Sequence, residues 1–568
     1  MDDASPPEHL PALNAIKGAQ VERLDENRGY AAAANHGIAR SSPHDDVVVL
    51  NSDVVALRGW LERLQYAAYG DADAGIVGAR LLYADQRIQW AGSHRNLGAP
   101  EWFDHRYRFS EAHRPEANVR APVLGVTGAC MYLKRTTLDA VGSFDEGFGM
   151  AYEDMDLSLR AWCRGHRCLY EPRAALVHLE SQTRPREPGE RELAAQRRFW
   201  LRWRPFFEDR DVRTPDGRLR IVYVTEDTGV GGGHRDVFEH LNRLAARGHD
   251  ARLYSLGERP GWFDLAVPVT TFADYDDLAR ALAVEWAIKV ATWWATAMPV
   301  WLASVRRGVP VFFVQDIETS YYPDHPEMRA HVLSSYRQEF HYLTISGWNR
   351  ERLRELGLEA ELVPPGLATE TFRPLADVTR RRDMLLALGR SNPLKNLPLT
   401  IDAWRALDSG GDRPELCLFG IEPQEGGAEG ARYVVGPTDE GVNRLLNEAT
   451  VFVQTSRHEG FCLPPLEAMA TGAAVVCTDA HGNRDFCRDG VNCLMPEPTV
   501  ESVSGAIRRV LTDPALRDRL GAAGRQTAAE YAWGRRIDEL EVALERAAQA
   551  GFGPRGATDP RRSAAPRD

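Results

Sequence analysis

The chain has 568 residues, 43% apolar and 26% charged, with a formal net charge of −12. That length exceeds what one hydrophobic core supports, so several domains are expected, and the apolar share is ordinary for a globular protein able to bury them. The negative balance argues against a nucleic-acid partner, because phosphate recognition needs a clustered Lys/Arg face.

The amino terminus, "MDDASPPEHLPALNA", has no basic and apolar stretch of signal type, so export is not expected. The eight cysteines form no C-x-x-C and no His/Cys spacing of the zinc type, and they read as reduced, cytosolic thiols. Residues 1 to about 205 mix strands such as "VVVLNSD" with helices and long polar loops. At 190–207, "ERELAAQRRFWLRWRPFF" interleaves arginines with Phe199, Trp200, Trp203, Phe206 and Phe207. Its two readings are a segment lying on an anionic membrane and, favoured here, a helix whose aromatics pack on the first domain.

From Arg218 onward, short apolar strands ("LRIVYVTED", "VPVFFVQD", "DMLLALG", "TVFVQTS", "AAVVCTD") alternate with amphipathic helices, the pattern of a parallel sheet covered on both faces. Residues 286–305, "WAIKVATWWATAMPVWLASV", have nearly the length of a bilayer span, but Lys289 and Pro299 interrupt them. A strand followed by a helix starting near Pro299 is expected instead. The proline-rich "VPPGLATETFRP" at 363–374 marks a boundary between two Rossmann-like halves, with a ligand cleft between them. The expected units are 1–205, a linker at 206–217, 218–370, 371–548, and a disordered tail at 549–568.

"RHEGFCLPPLEAMATG", residues 457–472, holds Glu459 and Glu467 on either side of Pro464 and Pro465. Proline favours the first helical turn, so a helix should begin near 464, leaving Glu459 in the preceding loop and Glu467 in the first turns. Both can face one cleft, and a carboxylate accepting two hydrogen bonds suits a vicinal diol. Together with "GRSNPLKN" (389–396) and "SGWNRERL…VPPGLATETFRP", these residues resemble glycosyltransferase family 4, of the GT-B fold. The resemblance implies that Glu467 holds the donor ribose, that Glu459 holds the transferred sugar and acts in catalysis, and that Arg390 and Lys395 bind the diphosphate. Charge developing on a departing nucleoside diphosphate is stabilised by such fixed cations. No cofactor is required there. "TGVGGGHRD" (228–236) fails the dinucleotide fingerprint at His234; Gly231, Gly232 and Gly233 either approach donor phosphate or the acceptor, or form a simple turn. Gln315 and Asp316 stand where many family members carry histidine, and these departures, with "ATWW" and "FVQDIE", look closest to bacterial surface-glycan rhamnosyltransferases.

In the first half, "ENRGYAAAANHGIARS…DDVVVLNSDVV" and "GVTGACMYLKRTTLDAVGSFDEGFGMAYEDMDLSLRAWCRGHRCLYEPRAALVHLES" resemble glycosyltransferase family 2, of the GT-A fold. By that resemblance Asp53 lies where a metal motif belongs, which allows a divalent cation (Mg or Mn) as cofactor; His178 is either a metal or diphosphate contact or a structural histidine ending its strand. Asp154, beside Glu153, would be the general base, a role that crowded carboxylates suit; the alternative is that they complement a helix N-terminus. The family's opening strand and base-reading Asp have no counterpart before "AQVERLD". The fold expected is therefore α/β: an incomplete GT-A-like Rossmann-type domain followed by a GT-B pair. The expected activity is transfer of a hexose or deoxyhexose from a nucleotide-diphospho-sugar to a glycan or lipid-linked acceptor, in the cytoplasm and at the inner membrane face. In the alternative, only the second module is catalytic and the first is a carbohydrate-binding scaffold.

Overall fold

The computed structural model describes residues 1–96, 99–149, 151–179, 189–407, 413–421 and 428–553. Three large sheets organise them, beside a two-stranded ribbon of Ser93–Arg95 with Phe103–His105. In the first, the order is Val47–Leu50, Cys130–Leu133, Ala74–Leu82, Arg167–His178, Val54–Ala56, with Ile88–Trp90 and Ala121–Pro122 joined to the central pair. Ala74–Leu82 and Arg167–His178 run parallel, the first buried at all but one position and the second through most of its length, while their other neighbours are antiparallel. No strand precedes Val47 among the described residues. The Asp3 carboxylate instead accepts the Arg28 and Gly29 amides, both at 2.8 Å, and so fastens the amino terminus to the start of the helix Tyr30–Arg40.

The second and third sheets are wholly parallel. The seven-stranded one centres on Arg220–Thr225, Ile288–Ala291 and Val309–Val314, the five-stranded one on Arg381–Leu388 and Ala449–Gln454. Val309–Val314 and Ala449–Gln454 are buried at every position, which is why they read as continuous apolar runs. The chain passes between the sheets from Leu362 to Arg381. The helix Trp533–Ala550, which the sequence groups with the last unit, returns to the seven-stranded half: Arg247 Nη1 donates to Glu541 Oε2 at 2.5 Å, and Arg213 pairs with Glu545.

Three expectations change in detail. In the 286–305 segment the helix is Trp294–Ser304, not a helix starting near Pro299. Thr296 Oγ1 accepts the Thr292 and Trp293 amides at 3.1 and 3.2 Å, which closes the helix start earlier. Lys289 is fully buried and donates to the Ala303 and Arg307 carbonyls, and no helix of the described residues is long and apolar enough to cross a membrane. Second, residues 206–217 begin inside the helix Glu190–Glu208 and are packed: Phe207, Arg210 and Val212 are buried. Third, the tail starts ordered. Gln549 and Ala550 end a helix, and buried Phe552 donates its amide to the Phe207 carbonyl at 2.8 Å; residues 554–568 lie outside the described residues.

The helix Glu190–Glu208 buries Phe199, Trp200, Trp203 and Phe207 against the first module, with Phe206 partly buried. Asp156 anchors it, accepting from Arg202 Nη1 at 2.7 Å and Trp203 Nε1 at 2.9 Å. The aromatic run is a packing surface. One apolar core then runs from the first module into one face of the seven-stranded sheet, where Trp162 meets Trp301 edge-on at 5.8 Å.

Candidate active site

The strand Ala449–Gln454 delivers the loop that carries Glu459, and the helix Leu463–Thr471 begins just beyond it. Cys462 takes a left-handed conformation (φ 85°), and Pro464 and Pro465 occupy the first turn, where a missing N–H costs no intrahelical bond. Glu459 is held by three donors: Gln454 Nε2 at 3.1 Å and Ser456 Oγ at 2.8 Å on Oε1, and Lys395 Nζ at 2.6 Å on Oε2. Its amide donates to the Ala480 carbonyl at 3.0 Å. Lys395 ends the short helix Pro393–Lys395, whose start is capped by Asn392 Oδ1 accepting from the Leu394 amide at 2.9 Å.

Glu467 is half-buried, and enclosure pushes its carboxyl up to about 7 against the opposing charge of Arg235. Arg390, after the strand Arg381–Leu388, makes no side-chain hydrogen bond among the described residues. Both line a cleft of about 390 Å³ with Lys395, Glu459 and Gly231 to Gly233, within the size range of ligand sites. The structure thus brings together all seven residues that the sequence assigns to the donor site. None of the three glycines has a positive φ, so they do not form the glycine-dependent turn. Their value is room: a Cβ on Gly233 would stand 2.8 Å from Gln315 Oε1, and one on Gly460 only 2.0 Å from the Gln315 carbonyl oxygen. At the cleft floor the two halves approach too closely for a side chain at Gly460, where the clash is with backbone, whereas at Gly233 it is with the flexible end of Gln315 from the same half.

Two cross-cleft pairs were not foreseen. Arg235 forks onto Asp439, with Nη2 at 2.8 Å from Oδ1, and lies over the Trp262 ring. His458 Nε2 lies 2.8 Å from Asp316 Oδ1, and His458 Nδ1 lies 2.9 Å from His481 Nδ1, whose ring stacks on Trp348. The Asp316 hydrogen bond raises the His458 pKa against the effect of burial. The departure at Gln315 and Asp316 was visible in the sequence, but nothing there signals a partner 142 residues away.

In the first module, Asp53 sits in the turn after Val47–Leu50 and meets His178, at the end of Arg167–His178, with 3.2 Å between Oδ1 and Nε2. Gln89 Oε1, 2.8 Å from His178 Nδ1, orients the ring. Glu153 and Asp154 open the helix Glu153–Cys163. Asp154 accepts the Gly128 amide at 3.0 Å and the Met155 amide at 2.7 Å, whereas Asp156 is fully buried and bonded to Arg160, Arg202 and Trp203. Asp154 and Asp156, two residues apart, therefore do different work, one bonded to backbone amides and the other to arginines and a tryptophan.

Residues 370–527 match the family model described as Glycosyl transferases group 1, and residues 10–205 match Glycosyltransferase like family 2. The O-antigen biosynthesis protein RfbC of Myxococcus xanthus is 25% identical over 638 residues, covering 90% of this chain and 48% of its own length. An N-acetylglucosaminyl-diphospho-decaprenol L-rhamnosyltransferase of Mycobacterium tuberculosis is 29% identical over 185 residues, covering 29% of this chain and 59% of its own. The chain thus spans about half the length of the Myxococcus relative (48%). Sucrose-phosphate synthase from Thermosynechococcus elongatus superposes with a TM-score of 0.51 at 17% identity, over 58% of this chain and 98% of that one, a likeness of fold. Two segments in tandem thus match glycosyltransferase family models, a family-2-like one followed by a group 1 one, and the second half shares the GT-B fold.

Proposed function

We propose that the chain moves a hexose or deoxyhexose, with rhamnose the favoured candidate, from a nucleotide-diphospho-sugar to a growing glycan in cell-surface polysaccharide synthesis. The names of the Myxococcus and Mycobacterium relatives support this process and this sugar. The carrying observation is the 2.6 Å pair between Lys395 and Glu459, with Arg390 and Glu467 on the same cleft. A lysine ammonium has three donors; Glu459 takes one, leaving two for diphosphate oxygens. In this reading Arg390 and Lys395 stabilise the departing diphosphate, which lets the second module work without a metal. Glu467 accepts the ribose hydroxyls, Glu459 orients the transferred sugar, and the amides of Gly231 to Gly233 face the donor or acceptor. A lipid-linked acceptor would place the chain at the cytoplasmic membrane face.

In the first module, one carboxylate oxygen and one imidazole nitrogen converging at 3.2 Å fit two ligands of a divalent ion, and the mixed N/O pair suits Mn better than Mg. Such an ion would neutralise donor diphosphate. Asp154 is then the general base, with Glu153 beside it. The scaffold reading has its own observation: both Asp154 oxygens already accept backbone amides. The deciding experiment is nucleoside diphosphate release from a panel of sugar nucleotides by wild type and Glu467→Ala, with and without chelator. Release lost in the variant but surviving chelation assigns metal-independent transfer to the second module. Release that ignores the substitution and stops with chelator moves the activity to the first.

A further inference from the structure

Cys477, Cys487 and Cys493 meet in space although their spacing matches no metal motif. Cys477 ends the strand Ala474–Cys477, and Cys487 follows the short helix Gly482–Asp485. Cys493 closes a tight turn in which the Gly490 amide donates to the Cys493 carbonyl at 2.9 Å. The Cys477 amide then donates to the Leu494 carbonyl at 3.0 Å, and that pairing carries Cys493 back beside Cys477. The three sulfurs lie within 4.8 Å of one another, Cys477 and Cys487 at 3.6 Å, and none of the residues is more than 4% exposed.

Buried cysteines usually behave as small apolar residues whose S–H finds a nearby carbonyl. Cys168 and Cys417 do this, donating to the Ser158 and Leu418 carbonyls. The cluster differs, because its sulfurs converge on one another. Three sulfurs bound at about 2.3 Å to a central ion stand roughly 3.8–4.0 Å apart, inside the observed spread. Asn483 adds a feature of thiolate ligands: Nδ2 reaches Cys477 Sγ at 3.7 Å, and the amide is fixed by bonds with Thr478 and Ala480.

We propose that Cys477, Cys487 and Cys493 form a structural site for a thiophilic divalent cation, zinc by chemistry. Thiolates select zinc over magnesium or manganese, and a doubly charged ion offsets most of the negative charge of three thiolates in a buried site. The first two ligands bracket residues 478–486. This loop carries the Ala480 carbonyl that accepts the Glu459 amide, and Asp485, whose carboxylate accepts the Gly347 amide at 2.8 Å from the facing half. An ion tying both ends of the loop stiffens the backbone that positions Glu459.

The test uses the full chain purified anaerobically with reductant. Elemental analysis should find one zinc per chain, lost in Cys493→Ser and kept in Cys417→Ser. Since Cys493→Ser could simply misfold, wild type is also stripped by chelator, checked for folding by circular dichroism, and titrated with zinc alone against a chromophoric competitor. Uptake of one equivalent, a rise in Tm, and a sulfur-to-metal charge-transfer band on titration with cadmium support the site. A folded, stripped protein that takes up no stoichiometric zinc overturns it, as does a Cys477–Cys487 disulfide persisting under reductant.

Discussion

Glu467→Gln tests the donor assignment most directly. The substitution keeps the shape of the side chain but replaces an all-acceptor carboxylate with one acceptor and one donor, so one hydroxyl of a bound diol loses its charged partner. A hydrogen bond to a charged group contributes about 1.5–3 kcal/mol, or roughly 10- to 150-fold in affinity. Enclosure also holds this carboxyl up near 7 in the free protein. Binding a diol draws on the ionised form, so wild-type affinity should fall as pH drops below about 7, approaching tenfold per unit. Calorimetric titration with an intact nucleotide-sugar, whose diphosphate diester gains no proton in this range, reads both effects. Glu467→Gln should bind weakly at about pH 8 and lose the acid-side slope. A flat wild-type profile between about pH 6 and 8, or a variant that keeps the slope, would refute the assignment.

Lys395→Met should lower kcat by roughly 100-fold, as loss of a fixed charge at a leaving group does, and unchanged turnover would remove Lys395 from the diphosphate site. Asp156→Ala leaves Trp203 Nε1 without its acceptor and takes one charged acceptor each from Arg160 and Arg202, and should cost about 2–4 kcal/mol in urea unfolding; a loss below about 0.5 kcal/mol would show that the first module does not depend on this anchor. His458 is raised by Asp316, so their cross-cleft contact is fully present below the ordinary histidine range and is lost as pH rises through the raised value. Asp316→Asn should bring the His458 titration down, followed by NMR of the imidazole, and an unchanged titration would break the pairing.

What the sequence shows well is local. Pro464 and Pro465 mark a helix start because proline chemistry acts within one turn, and "TVFVQTS" reads as a buried strand because both its faces are covered. Even the residues proposed for the donor site, scattered from 231 to 467, are readable, because each lies on a segment leading from a strand into the following helix or in the first turns of that helix. The pairs that close the cleft are not. Arg235 with Asp439 and Asp316 with His458 depend on how two sheets face each other, which no local pattern encodes. Lys289 misleads for a related reason: a lysine in an apolar run suggests a surface break, yet here two backbone carbonyls receive its ammonium in the interior. The same holds for the early packing of the tail, since Phe552 packs against Phe207 and Arg210, far away in sequence.

The core that joins Trp162 to Trp301 makes the tandem a ruler rather than a tether. Two modules on a loose linker would sample many separations, and the linker's length would tune how one passes a glycan to the other. Here the offset between the modules is set by side chains, so under the proposed function the moving part in a hand-over is the glycan itself. Lengthening the chain near residue 212 would wedge a buried contact instead of loosening a hinge, and cutting there would bare Trp301 and Phe552 to water. Either half, produced alone, would carry a sticky face where its neighbour used to be.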